Sequence, residues 1–334
     1  MAKRPIDLKR DSGFSGTVGT DDEGAIKEFL NVGSALLTIK ERAIYKFQLA
    51  DQIDPDRTNI DVPHVQQKIY SIGDSSEIVG RILLTAKYLF EHGMLDGRFD
   101  KKALLASALE FFDEVEKLLA LSQGMTRDQD AAIAEFEKQK AQKSTLLLPS
   151  IGDLNGRVRS FVQHADHSMQ RLLALCRIFY TLAPGKAWFD SLARVAAEEH
   201  QLEQEQIERL GRMVRFAQFL RNCRNCIEHP KPHQRIISND FRMTQNAQIQ
   251  LPSIEVVHDE TSEPEISLSV FMENMTQSVV NLGESTMVFL ATYHVMPGWE
   301  DKLAVLYFPE DQRRHPHVHY YFAANMGGQV VPVG

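Results

Sequence analysis

Apolar residues recur at helical spacing through most of this 334-residue chain, and this period limits the fold more than any other feature. A spacing of three or four positions places apolar side chains on one face of an α-helix, which must pack against another element. This spacing predicts helices over residues 22–53, 65–94, 101–121, 127–143, 154–180, 187–199, 203–229 and 267–294. A period of two predicts strands over residues 234–258, as a hairpin turning near Gln245-Asn246, and over 303–308 and 318–323. We therefore expect a mainly α fold, a helical bundle with a small C-terminal antiparallel β addition.

The polar and glycine-rich character of residues 1–21 predicts a flexible arm before the first helix. An N-terminal helical region is expected over residues 22–145. The segment 146–152 (LLLPSIG) predicts a joint to a second helical domain over residues 151–334, which a break at Pro184-Gly185 interrupts. The chain is thus expected to have two helical domains after the arm.

Composition narrows the class of protein. Apolar residues make up 43% of the chain and charged residues 25%, which are ordinary values for a folded globular protein. A formal net charge of -8 argues against a surface that coats nucleic acid, so any contact with RNA must be local. Three cysteines are too few for a disulfide framework, and no segment reaches the ~18 apolar residues of a membrane span. These features favour a cytoplasmic protein without a membrane partner.

The end of the predicted helix over 203–229 has two distinct faces. At about 100° per residue, one arc of about 140° contains polar side chains, namely Arg221, Arg224, Asn225, Glu228 and His229. The opposite side contains an apolar stripe that is typical of a core-facing surface, namely Phe216, Phe219, Leu220, Cys223 and Ile227. The polar arc is therefore the candidate site.

These polar residue types suit the cleavage of a phosphodiester. The guanidinium of Arg224 can stabilise the charge that builds on a phosphorane, and the imidazole of His229 can move a proton near neutral pH. Asn225 can orient either group. Glu228 and Arg221 are expected to support the site, with Glu228 holding the arginines in place.

The string Arg224-Asn225-Cys226-Ile227-Glu228-His229 resembles the R-N-x-x-x-H motif that marks HEPN domains, and the resemblance covers about residues 151–295. It implies a four-helix-bundle endoribonuclease that uses no metal or other cofactor, attacks through the RNA 2'-hydroxyl and leaves a 2',3'-cyclic phosphate. In that family two motifs usually meet across a homodimer. By position, Arg224 would contact the phosphate, His229 would act as acid or base, and Asn225 would support them.

The resemblance also bears on the biological role. Many HEPN proteins are toxins, phage-defence effectors or RNA-processing enzymes, and others have lost catalysis. Some toxin members carry, two residues after the histidine, a tyrosine that a partner enzyme modifies. Lys231 occupies that position here, so this route of regulation is not expected. We expect an RNA-cleaving homodimer, with a regulatory protein partner as a further possibility.

Other interpretations of the same residues remain open. The polar arc is also compatible with an ordinary solvated helix face, or with a non-catalytic protein that binds a nucleotide or a partner protein. Cys223, Cys226 and His229 have zinc-like spacing, but the helical wheel separates both thiols from the imidazole and favours buried cysteines.

Two groups of histidines offer further candidate sites. A metal could bind the C-terminal histidines, namely His315, His317 and His319, although an exposed strand with incidental histidines is the favoured interpretation. His164 and His167, at positions i and i+3 of another predicted helix, could reach the interior of the bundle, but we expect them to face solvent. No metal site is predicted from either group.

Overall fold

The computed structural model describes residues 3–12, 16–33, 35–91, 93–140, 147–182, 188–246, 248–326 and 329–333. The chain is 52% helix and 20% strand, and within the described residues the strands form four small antiparallel sheets. The expected mainly α bundle is therefore wrong, because the fold is mixed α/β with helices dominating. Within the same ranges, no helix combines the length and the apolar character that crossing a membrane requires.

The bounds of the elements are as follows. The α-helices in the described ranges are α1 Pro5–Asp11, α2 Ala50–Ile53, α3 Thr85–Phe90, α4 Lys101–Lys140, α5 Leu154–Phe179, α6 Phe189–His200, α7 Gln204–Glu228 and α8 Leu268–Tyr293. The strands there are β1 Ile26–Val32, β2 Ala35–Lys40, β3 Ile44–Gln48, β4 Val65–Tyr70, β5 Gln234–Asn239, β6 Arg242–Met243, β7 Ile249–Gln250, β8 Ser253–His258, β9 Glu263–Ser267, β10 Leu303–Tyr307, β11 Tyr320–Met326 and β12 Gln329–Pro332. A π-helical turn over Val79–Leu84 leads into α3.

Backbone contacts divide the chain into two compact units. Unit 1 is formed by both ends of the sequence, Met1–Leu109 and Met287–Gly334, and unit 2 is the intervening segment Glu110–Thr286. Grouping by contact does not test the domain boundaries expected from the sequence, which stay a prediction. Residue 146 of the expected joint, residues 141–143 of the helix expected over 127–143, and the expected break at Pro184-Gly185 lie outside the described residues.

The N-terminal segment of unit 1 is a β meander where a helix was expected. Strands β1 to β4 form one sheet in sequence order. The expected helix over 22–53 is wrong because two tight turns reverse the chain within it. Val32 pairs with Ala35 around Gly33, whose φ of 60° favours glycine, and Lys40 donates its amide N–H to the carbonyl oxygen of Ala43.

The rest of the N-terminal segment also departs from the expected helices and arm. Residues 65–94 form strand β4, then the π-helical turn and α3, and not one long helix. The expected flexible arm contains helix α1, which is tied down by ion pairs from Arg57 to Asp7 at 3.3 Å and to Asp11 at 2.9 Å. Residues 13–15 of the arm lie outside the described residues.

Unit 2 agrees more closely with the expectation. Helices α5 and α7 confirm the elements predicted over 154–180 and 203–229, and they contact each other. Their buried residues recur every three or four positions and form the core between them: Val158, Phe161, Val162, Ala165, Met169, Leu172, Leu173 and Cys176 on α5, and Leu210, Met213, Ala217, Leu220 and Cys223 on α7. This pattern places the last turns of α7 beside the middle of α5.

The predicted strands after α7 are present in unit 2. Strand β5 pairs with β8, β8 pairs with β9, and α7 contacts β5 and β8. The chain turns at Gln245-Asn246 within the small β6–β7 hairpin, as predicted. In unit 1, β10 and β11 pair as the C-terminal pattern predicts, and β12 extends their sheet.

Candidate active site

The last turn of α7 is held by the strand that follows it. The backbone N–H of His229 donates to the carbonyl oxygen of Asn225 at 2.9 Å. The Gln234 side chain donates from Nε2 to the carbonyl oxygens of Asn225 and His229, at 3.1 and 2.9 Å. Because these groups would otherwise end the helix without partners, Gln234 fixes the backbone on which the candidate residues sit.

The side chains of Asn225 and His229 remain accessible. Asn225 is half-buried and His229 is exposed. In the described part of the chain, neither the Asn225 amide nor the His229 imidazole makes a side-chain hydrogen bond. Both groups are therefore available to a ligand.

A buried carboxylate on α5 lies under the two arginines of the polar arc. Asp166 is completely buried, with Oδ1 at 3.5 Å from Nε of Arg221 and Oδ2 at 3.9 Å from Nε of Arg224. Oδ2 also accepts a hydrogen bond from Gln170 Nε2 at 2.7 Å. A buried carboxylate needs a compensating charge, so Asp166 draws both guanidinium groups towards α5.

Each arginine has a second contact that orients its guanidinium plane. Arg224 Nη2 lies 2.5 Å from Oε2 of Glu228, the arrangement in which Glu228 supports the arginine. The guanidinium carbon of Arg221 lies 4.2 Å from the centre of the Trp188 indole ring. Such stacking leaves the edge of the guanidinium free to donate hydrogen bonds.

Arg221 also lines a cavity of about 430 Å³ in unit 2. Its other lining residues are mostly basic or polar: Glu114, His167, Gln170, Arg171, Leu173, Arg177 and Trp188. Three arginines line the cavity, of which Arg221 also faces Asp166 and Arg171 pairs with Glu110 at 2.9 Å. Guanidinium groups bind phosphate with paired hydrogen bonds, so this cavity suits a phosphate-bearing ligand.

The two histidines of α5, His164 and His167, differ in how far they face solvent. His164 Nδ1 lies 2.7 Å from Oε2 of Glu114, and its side chain is 30% exposed. His167 lines the cavity, with a side chain that is 52% exposed. His167 is therefore exposed, as expected, whereas His164 is only partly exposed and contacts a carboxylate of α4.

The residues of this site that sequence reasoning missed include Asp166, Arg171, Arg177 and Trp188. A signal for one of them was present, because Asp166 follows Val162 and Ala165 at core spacing in α5. A carboxylate on an apolar stripe indicates a buried cationic partner. The others follow no motif and become neighbours only when α5, α6 and α7 pack.

The cysteines of α7 are buried, as the helical wheel predicts. Cys223 and Cys226 are 0% and 1% exposed, whereas His229 is exposed. Burial raises the pKa of both thiols, which opposes the thiolate form that zinc requires. The Cys223, Cys226 and His229 spacing therefore reflects core packing.

The C-terminal histidines have separate surroundings in unit 1. His315 is buried, with Nδ1 at 2.6 Å from Oδ1 of Asp74 and Nε2 at 3.0 Å from the Tyr88 hydroxyl oxygen. The backbone of His317 lies close to Gly80, and the His319 ring lies 5.9 Å from that of Tyr307. The segment over 315–317 is a bend and turn, so the expected exposed strand is wrong there.

The Tyr88 hydroxyl extends this buried network to a second carboxylate. It donates to Oε2 of Glu28 at 3.0 Å, and Oε1 of Glu28 lies 2.9 Å from Nζ of Lys87. Both carboxylates and the imidazole are thus paired inside unit 1.

Comparison with protein-family models, curated proteins and solved structures gave no match.

Proposed function

We propose that unit 2 is a metal-independent endoribonuclease in which Arg224 contacts the scissile phosphate and His229 transfers a proton. One observation carries the proposal. The exposed imidazole of His229 has no side-chain hydrogen bond in the described part of the chain, and it follows by five positions an arginine that Asp166 and Glu228 hold. The resemblance of this six-residue motif to the HEPN motif supports the same reaction.

The reaction is a transfer of the phosphoryl group within the RNA. A base removes the proton from a ribose 2'-hydroxyl, the 2'-oxygen forms a bond to phosphorus, and the bond from phosphorus to the 5'-oxygen breaks. An acid then gives a proton to that 5'-oxygen, so the products are a 2',3'-cyclic phosphate and a 5'-hydroxyl. His229 supplies one proton transfer, Arg224 stabilises the charged phosphorane, and Asn225 orients the phosphate.

The second proton-transfer group comes from a second copy of the chain, because one polar arc has a single histidine. The active form we propose is a homodimer on single-stranded or looped RNA. We place it in the cytoplasm because all three cysteines are free thiols, which suits a reducing compartment. The family resemblance suggests a role as a toxin or phage-defence effector that a protein partner regulates. Growth arrest on expression tests this role.

The test is RNA cleavage in excess EDTA. Wild type is compared with Arg224→Ala, His229→Ala and Asn225→Ala on mixed RNA, and the product ends are identified. Two matched controls are Arg209→Ala, an exposed arginine earlier on α7, and His233→Ala, an exposed histidine just beyond it. Both controls remove the same side-chain types outside the proposed site.

Three results together support the proposal. Wild type cleaves RNA in EDTA, the products carry cyclic phosphate ends, and cleavage is lost in Arg224→Ala and His229→Ala but not in the controls. We expect losses of at least about 100-fold for His229→Ala, the usual size of an acid–base contribution. Absence of cleavage by wild type, or full activity in both site variants, overturns it.

The cavity favours a second candidate function, the binding of a nucleotide without cleavage. Arg171, Arg177 and Arg221 suit phosphates, and Trp188 is an aromatic wall of the same cavity. Its test is quenching of Trp188 fluorescence by a nucleoside triphosphate in a Trp299→Phe background, since the chain has two tryptophans. Nucleotide binding is supported if the quenching is saturable, if Arg177→Gln weakens it, and if the protein cleaves no RNA. Absence of quenching removes it.

A further inference from the structure

We infer that Glu114, His164 and His167 bind a first-row transition-metal ion beside the arginine-lined cavity. Each of the three side chains offers one ligand atom, and these atoms all lie within 4.8 Å of one another. His164 and His167 stand at positions i and i+3 of α5, so they share one helix face. Their Nδ1 atoms lie 2.7 and 4.0 Å from the same oxygen, Oε2 of Glu114 on α4.

The carboxylate is held in place for this role. Its other oxygen, Oε1, accepts a hydrogen bond from Nζ of Lys117 at 2.8 Å. The Glu114 side chain is only 11% exposed, while the two imidazoles are accessible to solvent. A fixed carboxylate with accessible imidazoles lets an ion enter and take the place of the hydrogen bond between His164 and Glu114.

The type of ligand selects the type of ion. Two imidazoles and one carboxylate suit zinc, cobalt, nickel or iron, whereas magnesium and calcium prefer oxygen ligands alone. Three protein ligands leave at least one position of a tetrahedral ion open. Because Glu114 and His167 both line the cavity, that position is available to water or to an oxygen of a phosphate held by the arginines.

This inference goes beyond the proposed RNA cleavage and is independent of it, since His229 and Arg224 need no ion. The test uses full-length protein that has been freed of metal with EDTA and then exchanged into chelator-free buffer. Zn²⁺ binding is measured by calorimetry, and Co²⁺ binding by visible absorption. The variants are Glu114→Gln, His164→Gln and His167→Ala, and the control is His233→Ala, an exposed histidine outside the cluster.

We expect wild type and the control to bind one more equivalent of Zn²⁺ than each of the three variants. Outer-shell substitutions alone change metal affinity by about 10- to 100-fold, so losing a direct ligand is expected to weaken this site by at least about tenfold. His167→Ala alters an exposed side chain, so its folding is checked by circular dichroism. Equal stoichiometry and affinity in wild type and folded His167→Ala overturn the inference. Cleavage in EDTA reports separately on the proposed function.

Discussion

The carboxylate of Asp166 on α5 is completely buried and lies 3.5 Å from Nε of Arg221 on α7. Oδ1, the oxygen in this pair, makes no hydrogen bond in the described part of the chain. The attraction between the two charges is therefore the main compensation for burying that oxygen. The relationship links the fold of unit 2 to the orientation of its candidate site.

Replacing Asp166 by Asn should destabilise the protein. The amide keeps an acceptor for Gln170 but removes the negative charge that faces Arg221 and Arg224. We expect a loss of about 1–3 kcal/mol in the free energy of unfolding, measured by urea denaturation, because both arginines are partly solvated. Asp259→Asn, whose side chain is 73% exposed, should change stability by less than about 0.5 kcal/mol. Equal stability of the two variants would show that the buried pair contributes nothing.

Replacing the cavity arginines should change the salt dependence of RNA binding. If RNA enters the cavity that Arg221 lines, Arg171 and Arg177 neutralise its phosphates and release counterions. Each of Arg171→Gln and Arg177→Gln is then expected to reduce the slope of log K against log salt by about 0.7 on single-stranded RNA. Binding is measured by fluorescence anisotropy between low and physiological salt. Arg209→Gln, outside the cavity, should keep the wild-type slope. Unchanged slopes in all three variants would show that RNA phosphates do not bind in the cavity.

Glu28 should give the protein part of its acid sensitivity. Burial raises the pKa of Glu28. Hydrogen bonds from Lys87, the Phe29 amide and Tyr88 have the larger, opposite effect and lower this pKa to about 2. The ordinary value is 4.5, so the folded state favours the carboxylate. This stabilisation is complete above about pH 4.5 and is lost as the pH falls towards 2.

The corresponding variant is Glu28→Gln, which has no charge to lose. Its free energy of unfolding should be lower at neutral pH and should fall less steeply than wild type between about pH 5 and 2.5. Thermal unfolding across this range measures the difference. Glu300→Gln, at an exposed position, should retain the wild-type fall. A fall as steep in Glu28→Gln as in wild type would contradict this assignment.

Replacing Gly80 by Ala should destabilise unit 1, although alanine usually favours a helix. A Cβ at position 80 would lie 2.4 Å from Cβ of His317 and 2.8 Å from its carbonyl carbon. We expect a loss of about 1–3 kcal/mol by chemical denaturation, because a packed backbone gives way poorly. Gly97→Ala, where no atom lies within 4 Å of the added carbon, should be nearly neutral. An increase in stability in Gly80→Ala would show that the segment around His317 moves to accommodate the added methyl group.

The success of the sequence prediction depended on whether the contacts of a segment are local. Helices α5, α7 and α8 were predicted to within about two residues, since one apolar stripe per helix sets their period. Strands β1 and β2 were mistaken for a helix because the neighbouring pairs Phe29-Leu30 and Leu36-Leu37 also suit helical spacing. The last four residues of β2 are all buried, so the alternation that marks a strand is absent.

The candidate site was predictable only in part for the same reason. Arg221, Arg224 and Glu228 lie on one helix, so the wheel places them together and the structure shows two of them in contact. Asp166 lies 55 positions before Arg221, and Trp188 lies on the approach to another helix. Their contacts arise from tertiary packing, which no local period specifies.

His315 and Asp74 are separated by 241 positions, and this separation has a consequence for synthesis. At roughly 5–20 residues per second, a ribosome adds His315 some 10–50 s after Asp74. During that interval the nascent chain contains Glu28, Asp74 and Tyr88 without their imidazole partner, while all of unit 2 is being made. The buried contacts of Asp74 and Tyr88 with His315 therefore form only after the C-terminal segment has been made.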